Sequence, residues 1–401
     1  MGYRESKFGG HGGDGGGFTR RQALKRSLAG VAGAAVMTMP PLVRVSAQTS
    51  ETPFAAEQRA AIEAILQREV DSGNVPGIGW SVGTAKEILA EGGVGLRVVS
   101  PATPTDAATR FALASVSKQF TAACIYMLRD EGKLSLDAPL SDYLPAYRYG
   151  GKVTLRQLLT MSSGISPDTD ACEAPLGSRF DDTALIDNLN HLELEFPPGA
   201  HFSYSNCAYD VAGAVVAKLS GATFAQFVED RIFKPLGMTS SYQLGTRTDV
   251  DFARGYAPDG KGWRPAPLTE ADKTFASGNL ASNPSDMQRW DRALLNATLL
   301  PRKSLEEMFT AARLSSGAKT IYASAWFIEP NGAIWHGGAL EGHGTANVLV
   351  PATGHAIVLL GNTAPGGPWK PWEVAREIYN AAKLGPSLSP FLPISHTTVP
   401  Q

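Results

Sequence analysis

The chain has 401 residues, of which 43% are hydrophobic and 18% charged, and its length suits one large domain or two lobes with a substantial core. Without the leader described below, 29 Lys and Arg and 36 Asp and Glu remain, a formal net charge of −7 that argues against nucleic acid or an anionic membrane surface as partner. The three cysteines permit at most one disulfide and match no metal-ligand spacing; Cys124, among apolar residues, is predicted to lie in the core.

The first 47 residues have the pattern of an export signal. Residues 19–25 (TRRQALK) form a twin-arginine motif, a mildly apolar run follows at 28–39, and Val45-Ser46-Ala47 is a small-residue cleavage site. The apolar run is too short to span a bilayer. We predict a twin-arginine-type signal peptide over residues 1–47, a periplasmic or secreted protein, and no stable membrane insertion after cleavage. The alternative is a disordered Gly-rich leader with incidental arginines.

A helix and a hairpin are predicted next. Residues 57–71 have helical periodicity, and the strand-like runs 77–83 and 88–98 follow with a short polar turn between them. The first strand contains Gly79-Trp80-Ser81-Val82-Gly83, which matches the G-x-S-x-G nucleophile elbow of α/β-hydrolases. That elbow requires a helix directly after the serine. Because a second strand follows here, Ser81 is predicted to be an ordinary strand residue.

Residues 111–127 carry the first candidate catalytic pair, Ser115 and Lys118. On a helix this spacing puts both side chains on one face. A lysine partly desolvated by apolar neighbours can act as base for a serine hydroxyl, and the first turn of a helix favours an oxyanion. The S-x-x-K pattern alone is weak, because it recurs at Ser316 to Lys319 in a stretch that reads as a loop.

Helices and loops dominate the next part, which we predict to be a helical lobe at about 146–315 inserted between α/β segments at about 54–145 and 316–385. The predicted helices cover residues 153–164, 183–189, 209–219, 223–232 and 284–295.

A second candidate group lies in this lobe, in the run FPPGAHFSYSN at 196–206. A Pro-Pro-Gly turn there precedes Tyr204 and Asn206. Tyrosine can relay a proton if a nearby lysine lowers its pKa, and asparagine can bind both a carbonyl and an ammonium. Taken alone, both would be surface loop residues.

Strands are predicted again at 321–328, 333–338, 345–350 and 355–360, before a helix at 372–383 and a Pro-rich tail at 386–401. A third candidate motif, Trp335-His336-Gly337-Gly338-Ala339, lies at the second of these strands. Its glycines would allow a ligand to approach the backbone. His336 could equally be a strand histidine that is satisfied inside the protein.

Five motifs in a fixed order carry a family resemblance: SVSK at 115–118, LLTMSSGI, FPPGAHFSYSN, GNLASNPSDM at 278–287, and HGG at 336–338. The chain resembles the beta-lactamase-related serine hydrolases of the class C type, a superfamily that includes penicillin-binding proteins and D-aminopeptidases, over about residues 57–383. The resemblance implies an α+β fold, with a mainly antiparallel sheet flanked by terminal helices and the nucleophile helix, plus an inserted all-α lobe. It implies no metal and no cofactor.

The resemblance also implies a role for each motif residue. Ser115 would be the acylated nucleophile and Lys118 its proton partner. Tyr204 would shuttle protons to the leaving group and activate the deacylating water, and Asn206 would orient the substrate and the lysine. The backbone N–H groups of Ser115 and Ala339 would form the oxyanion hole.

The third motif departs from the family pattern, in which Lys-Thr-Gly supplies a cation and a hydroxyl for the substrate carboxylate. Here the substrate-binding positions are His336 and Gly338; a histidine is only partly cationic at neutral pH, and glycine has no hydroxyl. The H-x-G variant resembles esterases and D-amino-acid peptidases of the family. We therefore predict hydrolysis of a small-molecule ester, amide or peptide. A beta-lactamase or D,D-carboxypeptidase, and a penicillin-binding sensor that acylates without turnover, are the alternatives.

Overall fold

The structure is a computed structural model, and it describes residues 54–167, 182–247, 251–260, 262–266, 274–366 and 368–392. The predicted signal peptide and the end of the Pro-rich tail lie outside these residues.

The described strands, in chain order, are β1 (Gly77–Thr84), β2 (Ile88–Val98), β3 (Thr103–Pro104), β4 (Phe111–Ala112), β5 (Tyr242–Gln243), β6 (Tyr256–Pro258), β7 (Trp263–Pro265), β8 (Leu280–Ser282), β9 (Phe327–Ile328), β10 (Ile334–Leu340), β11 (His343–Val350) and β12 (His355–Gly361). The described α-helices are α1 (Ala56–Asp71), α2 (Lys118–Asp130), α3 (Leu155–Leu159), α4 (Asp182–Asn190), α5 (Asn206–Ser220), α6 (Phe224–Val228), α7 (Lys234–Leu236), α8 (Pro284–Asn296), α9 (Arg302–Met308) and α10 (Pro371–Ala381).

Seven strands form one antiparallel sheet in the order β3-β2-β1-β12-β11-β10-β9. Alternate residues of β1 face different layers, as the two-residue period of a strand requires. Trp80 packs beneath the guanidinium of Arg59 on α1, whereas the Ser81 hydroxyl donates to the Pro284 carbonyl at the start of α8. A central antiparallel sheet covered by helices confirms the predicted α+β class.

Local sequence patterns predicted several of these elements well. The predicted helix at 57–71 is α1, and the predicted hairpin is β1 and β2. Ser81 is buried inside β1, so the nucleophile-elbow match is coincidental, as predicted. Cys124 is buried, also as predicted; its thiol is free, whereas Cys207 is disulfide-bonded.

Other element predictions were wrong where tertiary contacts turn the chain. The predicted strand at 321–328 is reduced to β9, because Ala325 has a left-handed backbone and Tyr322 bridges back to Phe327. The predicted helix at 153–164 ends at Leu159, since Met161 is also left-handed. The region predicted to be all-helical contains β5 to β8 as well, and its last predicted helix, α8, packs on the sheet through Pro284.

Among the described residues, no single helix is long and apolar enough to cross a membrane; α5 and the segment Phe224–Leu236 pass that test only as a pair bent by 77°.

Candidate active site

The turn that carries Ser115 is a 3₁₀ helix, Ala114–Ser117, which leads directly into α2. The prediction placed Ser115 on the first turn of an α-helix, so its local geometry is corrected. The side chains of Ser115 and Lys118 still lie on one face, because side chains three residues apart are aligned in a 3₁₀ helix. Ser115 is partly exposed, whereas Lys118, the first residue of α2, is 0% exposed.

Contacts from distant segments hold this turn in place. Ala114 has a φ of 50°, a left-handed conformation that costs an alanine about 1 kcal/mol. The preceding residue, Leu113, donates its N–H to the Leu280 carbonyl at 2.8 Å and accepts from the Thr345 hydroxyl at 2.8 Å. Leu280 in turn donates its N–H to the Ser117 hydroxyl at 3.1 Å. The surrounding structure thus imposes the backbone conformation just before the candidate nucleophile.

The Lys118 amine lies among three oxygens. Its Nζ is 2.7 Å from Asn206 Oδ1, 2.7 Å from the Ser277 carbonyl oxygen and 3.1 Å from Ser115 Oγ. The first two oxygens can only accept hydrogen bonds. A neutral amine has two N–H groups for these acceptors, and its lone pair is then directed at the Ser115 hydroxyl.

The environment favours the neutral amine. Burial lowers the pKa of Lys118 from its usual value, and the nearby Asp210 carboxylate opposes that shift. Asp210 is itself buried, and its pKa is raised for the same reason. Desolvation disfavours the charged form of each group. Burial therefore brings Lys118, whose Nζ lies 3.1 Å from Ser115 Oγ, closer to the neutral form that can accept a proton.

Tyr204 approaches Ser115 from the helical region. Its phenol hydrogen-bonds to Ser115, and its ring centroid is 4.9 Å from Lys118 Nζ. The loop that carries it is tied to the LLTMSSGI stretch, because Ser203 and Ser205 donate their N–H groups to the Met161 carbonyl oxygen and sulfur. Burial raises the pKa of Tyr204, contrary to the lowered pKa considered from the sequence. The phenol is therefore protonated at rest and can donate.

The HGG motif meets the nucleophile turn directly. A Cβ added to Gly338 would lie 2.3 Å from the Leu113 carbonyl oxygen, 2.3 Å from Thr345 Oγ1 and 3.0 Å from the Ala114 Cβ. Only glycine permits this approach of β10 to the turn. Ala339, the next residue, is exposed on β10. The predicted substrate-binding glycine thus has a packing role that brings the strand beside Ser115.

His336 differs from its prediction. It is 1% exposed; Nδ1 lies 2.6 Å from the Gly337 carbonyl oxygen and Nε2 2.9 Å from the Tyr322 hydroxyl. A carbonyl only accepts, so Nδ1 carries the hydrogen and Nε2 accepts from Tyr322. Burial, with a smaller effect of the Lys118 charge, lowers the pKa of His336 to about 3. The predicted partial positive charge is wrong, because desolvation keeps this imidazole neutral.

The sequence analysis did not identify three residues around the site: Asp210, Ser277 and Tyr322. Asp210 had a usable signal, since it follows Asn206 by one helical turn and interrupts an apolar run with a charge. Ser277 adjoins a motif that contributed to the resemblance. Tyr322 had no signal, because its partner His336 becomes a neighbour only in the folded sheet.

The structure therefore brings together four of the predicted site residues, Ser115, Lys118, Tyr204 and Asn206, with Gly338 at their edge. Ser316 and Lys319, the second S-x-x-K pair, are exposed on a loop. The assembled group contains a hydroxyl, a buried amine and a protonated phenol, a combination of groups that can carry out acyl transfer.

Known proteins of similar sequence and fold were found by comparison. Protein flp of Staphylococcus aureus (strain MW2) is 25% identical over 325 residues, which are 76% of this chain and 63% of that protein. The octameric penicillin-binding protein homologue from Pyrococcus abyssi is 26% identical, with a TM-score of 0.69 and coverage of 81% of this chain and 77% of that chain. A D-stereospecific amidohydrolase from Streptomyces sp. is 28% identical, with a TM-score of 0.62 and coverage of 76% and 94%.

The chain spans about three fifths of the length of the curated relatives it matches, 61% and 63% for the first two. A profile of the family described as Beta-lactamase matches residues 62–378, which include every motif that carried the resemblance. The fold, the order of the motifs and this match lead to one conclusion: the chain belongs to the beta-lactamase family.

Proposed function

We propose that this protein is a serine hydrolase that cleaves an ester or amide bond through an acyl intermediate on Ser115. The observation that carries the proposal is the placement of the Lys118 amine, whose two acceptors leave its lone pair for the Ser115 hydroxyl. A buried lysine with a lowered pKa is an effective base for such a proton.

These positions support the following reaction. Lys118 takes the Ser115 proton as Oγ attacks the substrate carbonyl carbon, and the backbone N–H groups of Ser115 and Ala339 receive the oxyanion. The Tyr204 phenol donates its proton to the leaving group, and the proton held by Lys118 restores the phenol. Water then attacks the acyl carbon, and its proton passes through Tyr204 and Lys118 to Ser115 Oγ as the acyl–Oγ bond breaks. The products are the free acid and the Ser115 hydroxyl.

The neutral His336 supports an ester or amide without a carboxylate anchor. Within β10, whose sequence is IWHGGAL, no side chain offers a cation or a hydroxyl to a substrate carboxylate. A beta-lactamase or D,D-carboxypeptidase is the second candidate, favoured by the family and by the penicillin-binding homologue. A sensor that acylates without turnover is the third, and the complete set Ser115, Lys118 and Tyr204 argues against it.

Covalent labelling tests the proposal. We expect a fluorophosphonate to add one adduct to the protein, detected by intact mass, and the adduct to be absent from Ser115→Ala. Ser81, in the G-x-S-x-G match, and Ser316, in the second S-x-x-K match, provide controls. Ser81→Ala and Ser316→Ala should be labelled as the natural chain is. Labelling that persists in Ser115→Ala would exclude the proposed nucleophile.

Turnover separates the three candidates. A p-nitrophenyl ester should be hydrolysed repeatedly, and much faster than a chromogenic cephalosporin. Faster cephalosporin turnover would instead support the beta-lactamase alternative. Release of one equivalent of product, with no further turnover, would support the sensor.

We also propose that residues 1–47 direct export through a twin-arginine pathway, on the strength of the Arg20-Arg21 pair and the Ala47 cleavage site. In a bacterial host with that pathway, the exported protein should begin at Gln48. Replacing both arginines by lysine should retain the protein in the cytoplasm, as measured by cell fractionation and N-terminal sequencing. Equal export of the two forms would contradict the proposal.

A further inference from the structure

A buried carboxylate that the reaction above does not use lies beside the candidate base. Asp210 is 4% exposed and follows Asn206 by one turn of α5, so both side chains project from the same face of the helix. Asn206 contacts the Lys118 amine directly. Asp210 is linked to the same amine through the backbone of Ser277.

In this linkage, two hydrogen bonds fix the position of one peptide group. The Ser277 N–H donates to Asp210 Oδ1 at 2.8 Å, and the carbonyl of the same peptide group, on Ala276, accepts from the Thr121 hydroxyl at 2.6 Å. The next carbonyl, that of Ser277, accepts from Lys118 Nζ at 2.7 Å. The orientation of the amine therefore depends on a carbonyl whose position is set by Asp210 and by Thr121, a residue of α2.

Asp210 also differs in charge from the other groups that face Lys118. The amine lies 4.9 Å from the ring of Tyr204 and 5.7 Å from the ring of Tyr209, and its charge acts on His336 of β10. Burial raises the pKa of both phenols and lowers that of the imidazole, so all three are neutral at neutral pH. Among the described residues around the amine, Asp210 is the one acidic group whose charged form can oppose a positive charge; burial raises its pKa, and a charged Lys118 lowers it again.

We propose that Asp210 is a positioning residue for Lys118: it holds Ser277 so that the amine lone pair points at Ser115, and its carboxylate stabilises the ammonium formed when Lys118 takes the serine proton. The inference rests on the proposed function. It predicts effects on the rate of acylation and on its pH dependence, with little effect on substrate binding.

Two substitutions separate the contact from the charge. Asp210→Asn keeps an oxygen for the Ser277 N–H but removes the charge; Asp210→Ala removes both. With a p-nitrophenyl ester, we expect kcat to fall about 10-fold in Asp210→Asn and about 100-fold in Asp210→Ala, with KM nearly unchanged. The carboxylate favours the ammonium form, so its removal should lower the Lys118 pKa. The rise of kcat/KM on the acid side of its pH profile should therefore occur about one pH unit lower in Asp210→Asn.

Asp291→Asn is the matched control, because Asp291 is another fully buried carboxyl, on α8, bonded to Asn347 instead of to the site. Its acid limb should stay in place. Since Asp210→Ala could unfold the protein, Asp210→Asn and its pH profile decide the matter. If Asp210→Asn leaves both kcat and the acid limb of the kcat/KM–pH profile unchanged while Ser115 is still labelled, the inference is wrong and the proposed function stands. If Ser115 of the natural chain is not labelled, both are wrong.

Discussion

Lys118→Arg is expected to lower kcat/KM for ester hydrolysis by about 10³- to 10⁴-fold, although arginine keeps nitrogen donors at this position. A guanidinium remains protonated throughout the working pH range, so it cannot take the Ser115 proton. Lys118→Met should be equally inactive. Because methionine replaces a fully buried amine by an apolar side chain of similar length, the melting temperature of this variant should not fall in proportion to its activity.

The pH dependence of the natural enzyme provides an independent check on the same residue. Its kcat/KM should rise with pH as Lys118 loses its proton, and this rise should occur below the usual lysine range because burial lowers the pKa. Lys319→Met, in the exposed second S-x-x-K pair, is the control and should behave as the natural chain does. A Lys118→Arg variant with activity within 10-fold of the natural enzyme would falsify the base role, since general-base catalysis contributes about 10²-fold or more.

Gly338→Ala is expected to have the second largest effect. The added methyl group would overlap the Leu113 carbonyl oxygen and Thr345 Oγ1, each at 2.3 Å, so β10 and the turn before Ser115 must move apart. Overpacking of this kind costs about 1–3 kcal/mol of the free energy of unfolding. A displacement of about 1 Å between reacting groups reduces the rate by about 10²-fold. Both the melting temperature and kcat should therefore fall.

The adjacent glycine is a stringent control for this prediction. A Cβ on Gly337 would meet the side chain of Trp372, at 3.1 Å, instead of the nucleophile turn. Gly337→Ala should therefore destabilise the sheet only mildly and leave kcat within a few-fold of the natural value, as is typical of small volume changes with a movable neighbour. If Gly338→Ala and Gly337→Ala have the same kcat, the proposed close approach does not matter for catalysis.

Elements that depend on neighbouring residues were predictable from the residues alone. The periodicity of residues 57–71 predicted α1, and two strand-like runs joined by a short polar turn predicted the hairpin of β1 and β2. The pairing of Ser115 with Lys118 was also readable, because three residues along a helical turn bring two side chains together whatever surrounds them. The absence of a helix after Ser81 was enough to reject the nucleophile elbow.

The protonation states and the supporting contacts, by contrast, depend on the folded chain. His336 is neutral because the fold buries it against Tyr322, and Lys118 favours the neutral amine because α2 lies in the interior. Asp210 and Ser277 are 67 residues apart in the sequence and meet only when the segment before β8 packs against α5. A pKa reflects the loss of water and the approach of charges from distant segments, and a local sequence pattern contains neither quantity.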